Sequence, residues 1–77
     1  MTLRTRGSFD TCRPPFTLIV WTPDGFAPEF IFASKEEAKN AWFFYRNGAK
    51  SGPVDKLEMF GHNIASPEVL VAMWEHR

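Results

Sequence analysis

The segment Ser34 to Gly48, SKEEAKNAWFFYRNG, constrains the fold most, because its sequence predicts a helix and contains a signal for each end of it. Ser34 and Glu37 match the S-x-x-E capping box, which begins a helix by satisfying its first backbone N–H groups. Asn47-Gly48 predicts the other end, since glycine readily takes the left-handed conformation that closes a helix. The sequence therefore predicts a helix over residues 34–47, and the rest of the chain must pack against it.

Three segments rich in β-branched and aromatic residues predict strands, at 16–21, 30–33 and 54–60. The first, FTLIVW, is apolar on both faces, which is typical of a central strand that is covered on both sides. The TPDG turn that follows it predicts a hairpin between the first two strands. We therefore expect a three-stranded antiparallel sheet in the order 2-1-3, with the helix on one face.

A second helix is predicted at the C-terminus, because Ser66 and Pro67 provide an N-cap and a proline at the first helical position. Its apolar positions are Val69, Leu70, Met73 and Trp74. The expected fold class is α+β, a small single domain with the element order ββαβα. This domain would span residues 16–77, preceded by a basic extended arm over residues 1–15.

The charge of the chain is balanced, with a formal net charge of zero, which disfavours nucleic acid and anionic membranes as partners. The arm is mildly basic, since it holds Arg4, Arg6 and Arg13 against Asp10. No apolar run approaches the ~20 residues of a membrane-spanning helix. With no secretory signal at the N-terminus and a single cysteine, Cys12, we expect a cytoplasmic protein.

Residues that could support catalysis are few. Cys12, His62 and His76 are too scattered to predict a metal site, and no glycine-rich loop cradles a phosphate. Cys12, His62 and Asp10 could serve as nucleophile, base and orienting group, but nothing in their spacing supports such a site. We therefore expect no cofactor, no metal and no enzymatic activity.

Four consecutive aromatic residues, Trp42 to Tyr45, exceed what one helix face can bury. Because successive helical residues turn by about 100°, Trp42 and Tyr45 lie on the predicted core stripe, Phe44 on its flank and Phe43 nearly opposite. Three explanations of Phe43 stay open. The C-terminal helix or the arm covers it, it is an isolated exposed residue, or it belongs to a contact surface.

A contact surface is the explanation on which we build, because aromatic residues, methionine and arginine are enriched at the centres of protein interfaces. Trp21, Ile31 and Phe60 would extend such a surface onto the open face of the sheet. The predicted function is a small non-enzymatic protein-binding module, whose partner is another protein or a second copy of the chain. The predicted partner-binding residues are Trp21, Phe43, Phe44, Arg46 and Phe60.

The segment DGFAPEFIF, residues 24–32, resembles the RNP1 strand of RNA-recognition motifs, in which aromatic rings on a sheet stack on bases. It departs from that pattern where Asp24 replaces the basic residue and where Pro28 interrupts the strand, and we interpret it as a hairpin. The resemblance motivates an alternative function, a nucleic-acid-binding domain that uses the arm arginines and the sheet aromatics.

In size, neutral charge and lack of catalytic groups the chain resembles the compact accessory proteins of phages and mobile elements, such as anti-CRISPR inhibitors. This resemblance implies an inhibitor that blocks a host protein complex. No motif carries it, so it assigns no residues to a site.

Overall fold

The structure of the protein is a computed structural model that describes residues 7–49, 52–63 and 68–75. Its elements, in chain order, are β1 (Arg13–Trp21), β2 (Glu29–Phe32), α1 (Lys35–Ala49), β3 (Lys56–His62) and β4 (Val69–Glu75). The strands form one antiparallel sheet in the order β2-β1-β3-β4, and α1 packs on one face of it. The α+β class and the neighbours 2-1-3 are confirmed, whereas the sheet has a fourth strand that the sequence did not predict.

The start of α1 is the predicted one, because the backbone N–H of Glu37 donates to Ser34 Oγ at 3.2 Å. The predicted end is wrong, since the helix continues through Gly48 to Ala49. Among the described residues only Gly25 has a positive φ, so Gly48 does not close the helix in the left-handed conformation. Ala49 is buried in the core, and this burial favours a longer last turn.

The predicted C-terminal helix is wrong, because Val69–Glu75 is strand β4 and pairs with β3. The expected helix start, Ser66 and Pro67, lies outside the described residues. The periodicity of a short apolar run fits a helix and a buried strand equally well. Here the hydrogen-bonded pairing with β3 makes this segment a strand. A register shift in the pairing places Val69, Ala72 and Trp74 on the side of α1, while Leu70 and Met73 lie on the other side.

Strand β1 begins at Arg13, three residues earlier than predicted, and contains a cis Pro14–Pro15 peptide bond. The hairpin to β2 is confirmed, with Gly25 at its tip. Before β1, the backbone N–H of Gly7 donates to the carbonyl of Leu70 at 3.0 Å, which places this residue beside β4. The rest of the predicted arm, including Arg4 and Arg6, lies outside the described residues.

The hydrophobic core fills the space between α1 and the sheet. Strand residues alternate between the two faces, so every second residue of β1 and β3 faces the helix. The largest fully buried side chains are Phe16, Leu18, Leu57, Met59 and Val69. Trp42 of α1 is also buried, as its position on the core stripe predicts.

The opposite side, which we call the open face, carries the remaining strand residues, and no helix of the described residues covers it. None of the helices in these residues is both long and apolar enough to cross a membrane.

Candidate protein-binding surface

The open face contains a groove of about 470 Å³, which we call the sheet groove. Its lining combines apolar, aromatic and acidic side chains from the first three strands and the residue before β4. The lining residues are Thr17, Ile19, Trp21, Glu29, Ile31, Glu58, Phe60, His62 and Glu68.

The strand register arranges this lining in rows, because residues that pair across an antiparallel sheet lie on the same face. Thr17 of β1 pairs with Ile31 of β2 and with Phe60 of β3, which gives a predominantly apolar row. The next row is more acidic, since Ile19 lies between Glu29 and Glu58. The groove therefore offers apolar contact area beside carboxylates.

Trp21 is held in the groove by a hydrogen bond. Its indole Nε1–H donates to Glu58 Oε1 at 2.8 Å, and Lys56 Nζ lies 3.9 Å from the same oxygen and 5.2 Å from the indole ring centre. Glu58 lies on the open face, yet only 2% of it is accessible. Trp21 stays 38% exposed, so an oriented aromatic ring faces solvent.

The outer side of α1 forms a second surface. Phe43 is 54% exposed and Phe44 is 74% exposed, and Arg46 is exposed beside them. The explanation in which the arm or a C-terminal helix covers Phe43 is therefore wrong. Phe44 makes an edge contact with Tyr45 at 5.5 Å between ring centres, and Tyr45 stacks on Phe30 of β2 at 5.4 Å.

The five predicted partner-binding residues are thus divided between opposite sides of the sheet. Trp21 and Phe60 line the sheet groove, and the other three, Phe43, Phe44 and Arg46, lie on α1. Sequence reasoning placed Trp21 and Phe60 on the open face of the sheet, but it treated them as an extension of the surface that contains Phe43.

Several surface residues were missed by the sequence analysis. Glu29 and Glu58 look like ordinary solvated charges, and only the pairing of β1 with its two neighbours brings them to one row. The other missed residues are exposed apolar side chains: Phe26, Phe30 and Met73. Alternation along β4 alone would not have assigned Met73 to the open face, because the register shift in its pairing with β3 puts Val69 and Ala72 on the same side of the sheet.

The residues considered for catalysis do not come together. Cys12 is a buried free thiol in the hydrophobic core, whereas His62 lines the groove on the open face. Among residues 7–49, 52–63 and 68–75, no three histidine, cysteine, aspartate or glutamate side chains are placed to hold a metal ion.

Within the described residues, two carboxyls have shifted pKa values, and both lie outside the sheet groove. A hydrogen bond from Lys35, together with the charges of Lys35 and Lys39, lowers the pKa of Asp10. A hydrogen bond from the Thr22 hydroxyl lowers the pKa of Asp24 in the β1–β2 turn. Both interactions are local and structural, so neither carboxyl marks a reactive centre.

No protein-family model, curated protein or solved structure matches this chain.

Proposed function

We propose that this chain is a small non-enzymatic protein-binding module and that the sheet groove is its main contact surface. The observation that carries the proposal is a concave surface of about 470 Å³ on a sheet face that α1 does not cover. Trp21 projects into this surface in an orientation that Glu58 fixes. An aromatic ring that is already oriented loses little side-chain entropy on binding, which favours its use as an anchor.

The partner that fits the groove is a protein segment with apolar side chains. The row of Ile31, Thr17 and Phe60 supplies apolar contact area, and Trp21 lies on the same face. A buried aromatic anchor contributes about 2 kcal/mol or more to many protein interfaces. Glu29, at the β2 end of the neighbouring row, favours a partner with a basic residue beside its apolar ones.

The alternative, a nucleic-acid-binding domain, is weakened by the charges of this face. Stacking of bases on Trp21 and Phe60 would bring phosphates close to the carboxylates of Glu29, Glu58 and Glu68. Of the arm arginines, only Arg13 lies within the described residues, where it pairs with His62 at the end of β3. We therefore favour a protein partner.

Two narrower hypotheses accompany the proposal. The single cysteine motivates a cytoplasmic location. The small size and the neutral charge motivate the hypothesis that the module inhibits a host complex of the kind that phages and mobile elements block. The inhibitor hypothesis predicts that the purified chain lowers the activity of the partner to which it binds, and an unchanged activity at saturation would contradict it.

The test first captures a partner from the native host with the wild-type chain and purifies it. The affinity of two variants for that partner is then measured by titration. Thr17→Arg places a long side chain on the floor of the sheet groove, so we expect it to weaken binding at least tenfold. The matched comparison is Phe43→Ala on the outer side of α1. Because Phe43 is 54% exposed, this variant should keep its melting temperature, and it weakens binding if the α1 surface also contacts the partner.

Thermal melting separates a loss of binding from a loss of folding. As a control, Trp42→Ala removes a buried core ring and should cost roughly 3–5 kcal/mol. Binding that is unchanged in Thr17→Arg would refute the groove as the contact surface. Affinity that falls steeply with added salt and follows DNA or RNA would instead support the nucleic-acid alternative.

A further inference from the structure

We propose that strand β2 pairs with β2 of a second copy of this chain, so that two sheets join edge to edge around a twofold axis. This inference concerns the edge of the sheet, which shares Glu29 and Ile31 with the lining of the sheet groove, and it stands whether or not the groove binds a partner. The segment involved is Glu29–Phe32.

The outer edge of β2 has backbone groups that point away from the sheet. The carbonyl of Pro28 accepts the N–H of Val20 at 3.0 Å, which shows that even-numbered residues here direct their peptide groups toward β1. Since these directions alternate along a strand, the peptide groups of Glu29 and Ile31 face outward. No strand in the described part of the chain pairs with this edge.

The side chains of β2 do little to prevent another strand from adding here. Sheets usually protect an edge with lysine, proline, a bulge or a very short strand. β2 is short and follows Pro28, but within it Glu29 is the only charged residue. Ile31 is 72% exposed on the open face, and Phe30 is exposed on the side of α1. Apolar side chains thus flank the open edge on both faces.

The geometry selects a second copy and one register. In a closed antiparallel pair, one residue lies opposite its own copy, and the outward groups of Glu29 and Ile31 allow Glu29, Phe30 or Ile31 in that position. Placing Glu29 at the axis would set two carboxylates opposite each other, and placing Phe30 there would set the charged Glu29 against the apolar Ile31, so both are less favourable. Placing Ile31 there sets Ile31 against Ile31 and Phe30 against Phe32 of the second copy, and pairs Glu29 with an uncharged residue, Ala33.

Helix α1 adds apolar area to the same contact. Tyr45 stacks on Phe30, and Phe44 packs edge-on against Tyr45, so Phe44 is on the flank of α1 that faces β2. A twofold axis perpendicular to the sheet keeps both helices on the same side. The two exposed Phe44 rings then approach each other above the paired strands, which compensates for the shortness of β2.

The test combines the mass in solution with amide hydrogen exchange. Light scattering should show the mass of the wild type rising from 8.9 kDa toward twice that value as concentration increases. Over the same range the Ile31 amide should become protected, because it gains a partner across the axis. The Phe30 amide points toward β1 and should be protected at every concentration, which makes it the internal reference.

Ile31→Lys should remain at the monomer mass at every concentration, since it places two positive charges opposite each other at the axis. Phe43→Lys is the matched control, because it replaces an exposed ring on α1 that lies away from β2, and it should dimerise like the wild type. Two results would overturn the proposal. One is a wild type that stays monomeric, and the other is a dimer whose Ile31 amide remains unprotected and which still forms in Ile31→Lys.

Discussion

A buried carboxylate on the uncovered face of the sheet is the feature that matters most at the scale of single residues. Glu58 lies on the open face, yet it is almost wholly inaccessible and accepts the indole N–H of Trp21. Burial of a charged group is costly unless hydrogen bonds and ion pairs compensate for it. The ring of Trp21 and the nearby ammonium group of Lys56 therefore stabilise the fold and at the same time shape the candidate binding surface.

Trp21→Phe tests this role, because it keeps an aromatic ring but removes the Nε1–H donor. We expect the free energy of unfolding to fall by about 1–3 kcal/mol, as for other hydrogen bonds to charged groups. Urea denaturation measures the change. The same substitution in a Glu58→Met background is the control, and it should cost less there, because methionine offers no oxygen to accept the indole N–H. An equal cost in both backgrounds would show that the ring, and not the hydrogen bond, stabilises the protein.

At the scale of elements, two glycines have opposite roles although neither has a positive φ. Gly61 of β3 faces the core, where an added Cβ would lie 2.8 Å from Phe16 Cε1 and 2.9 Å from Cys12 Cβ. Gly48 lies in the last turn of α1, and a Cβ there would meet no atom within 4 Å. The first glycine permits close packing of β3 against β1, whereas the second only adds backbone entropy to the unfolded chain.

The two alanine substitutions should therefore have opposite signs. Gly61→Ala overpacks the core and should destabilise the protein by about 1–3 kcal/mol. Gly48→Ala should stabilise it by about 0.5–1 kcal/mol, since alanine is the better helix former. Urea denaturation of both variants measures the difference. If Gly61→Ala had no cost, the contact between β3 and Phe16 would be looser than the structure indicates.

At the scale of the whole molecule, an ion pair connects the turn before β1 to helix α1. Lys35 Nζ lies 3.1 Å from Asp10 Oδ1, and these residues belong to the first turn of α1 and to the turn before β1. The hydrogen bond and the positive charge of Lys35, with a further contribution from Lys39, lower the pKa of Asp10. Both partners are largely exposed, so we expect a small, salt-sensitive contribution to stability.

The lowered pKa of Asp10 predicts how the stabilising effect of this ion pair depends on pH. The carboxyl has a lower pKa in the folded than in the unfolded chain, so its stabilising effect is present above the ordinary value of 3.8. The effect is lost as the pH falls through the folded-state pKa. Lys35→Met should raise the pKa of Asp10 toward that ordinary value in an NMR titration. Asp24, whose pKa is lowered by the Thr22 hydroxyl, should not change. An unchanged pKa of Asp10 would show that the ion pair does not form in solution.

Local chemistry predicted much of this fold. The Ser34 cap marked the start of α1, the Gly25 turn marked the hairpin, and the apolar character of β1 placed it inside the sheet. Each of these signals acts within a few residues, so it can be recognised without knowing the rest of the molecule. The same reasoning identified Phe43 as a ring that the helix cannot bury, and its exposure agrees with that prediction.

The errors have a common cause, which is that long-range contacts outweighed local preference. The apolar pattern from Val69 to Trp74 fits a helix. In the structure this segment pairs with the edge of β3 and is therefore a strand. The C-terminal end of α1 shifted because Ala49 is buried in the core.

The sequence by itself determined the class of the fold, the cap of its helix and an excess of large apolar side chains, because these depend on residue type and short spacing. Only the tertiary structure decided where that excess lies. It placed Trp21 and Phe60 on one side of the sheet and Phe43 and Phe44 on the other. The physical reason is that strand pairing joins residues far apart in the chain, and Trp21 and Glu58, which are 37 residues apart, meet only once β1 and β3 have paired.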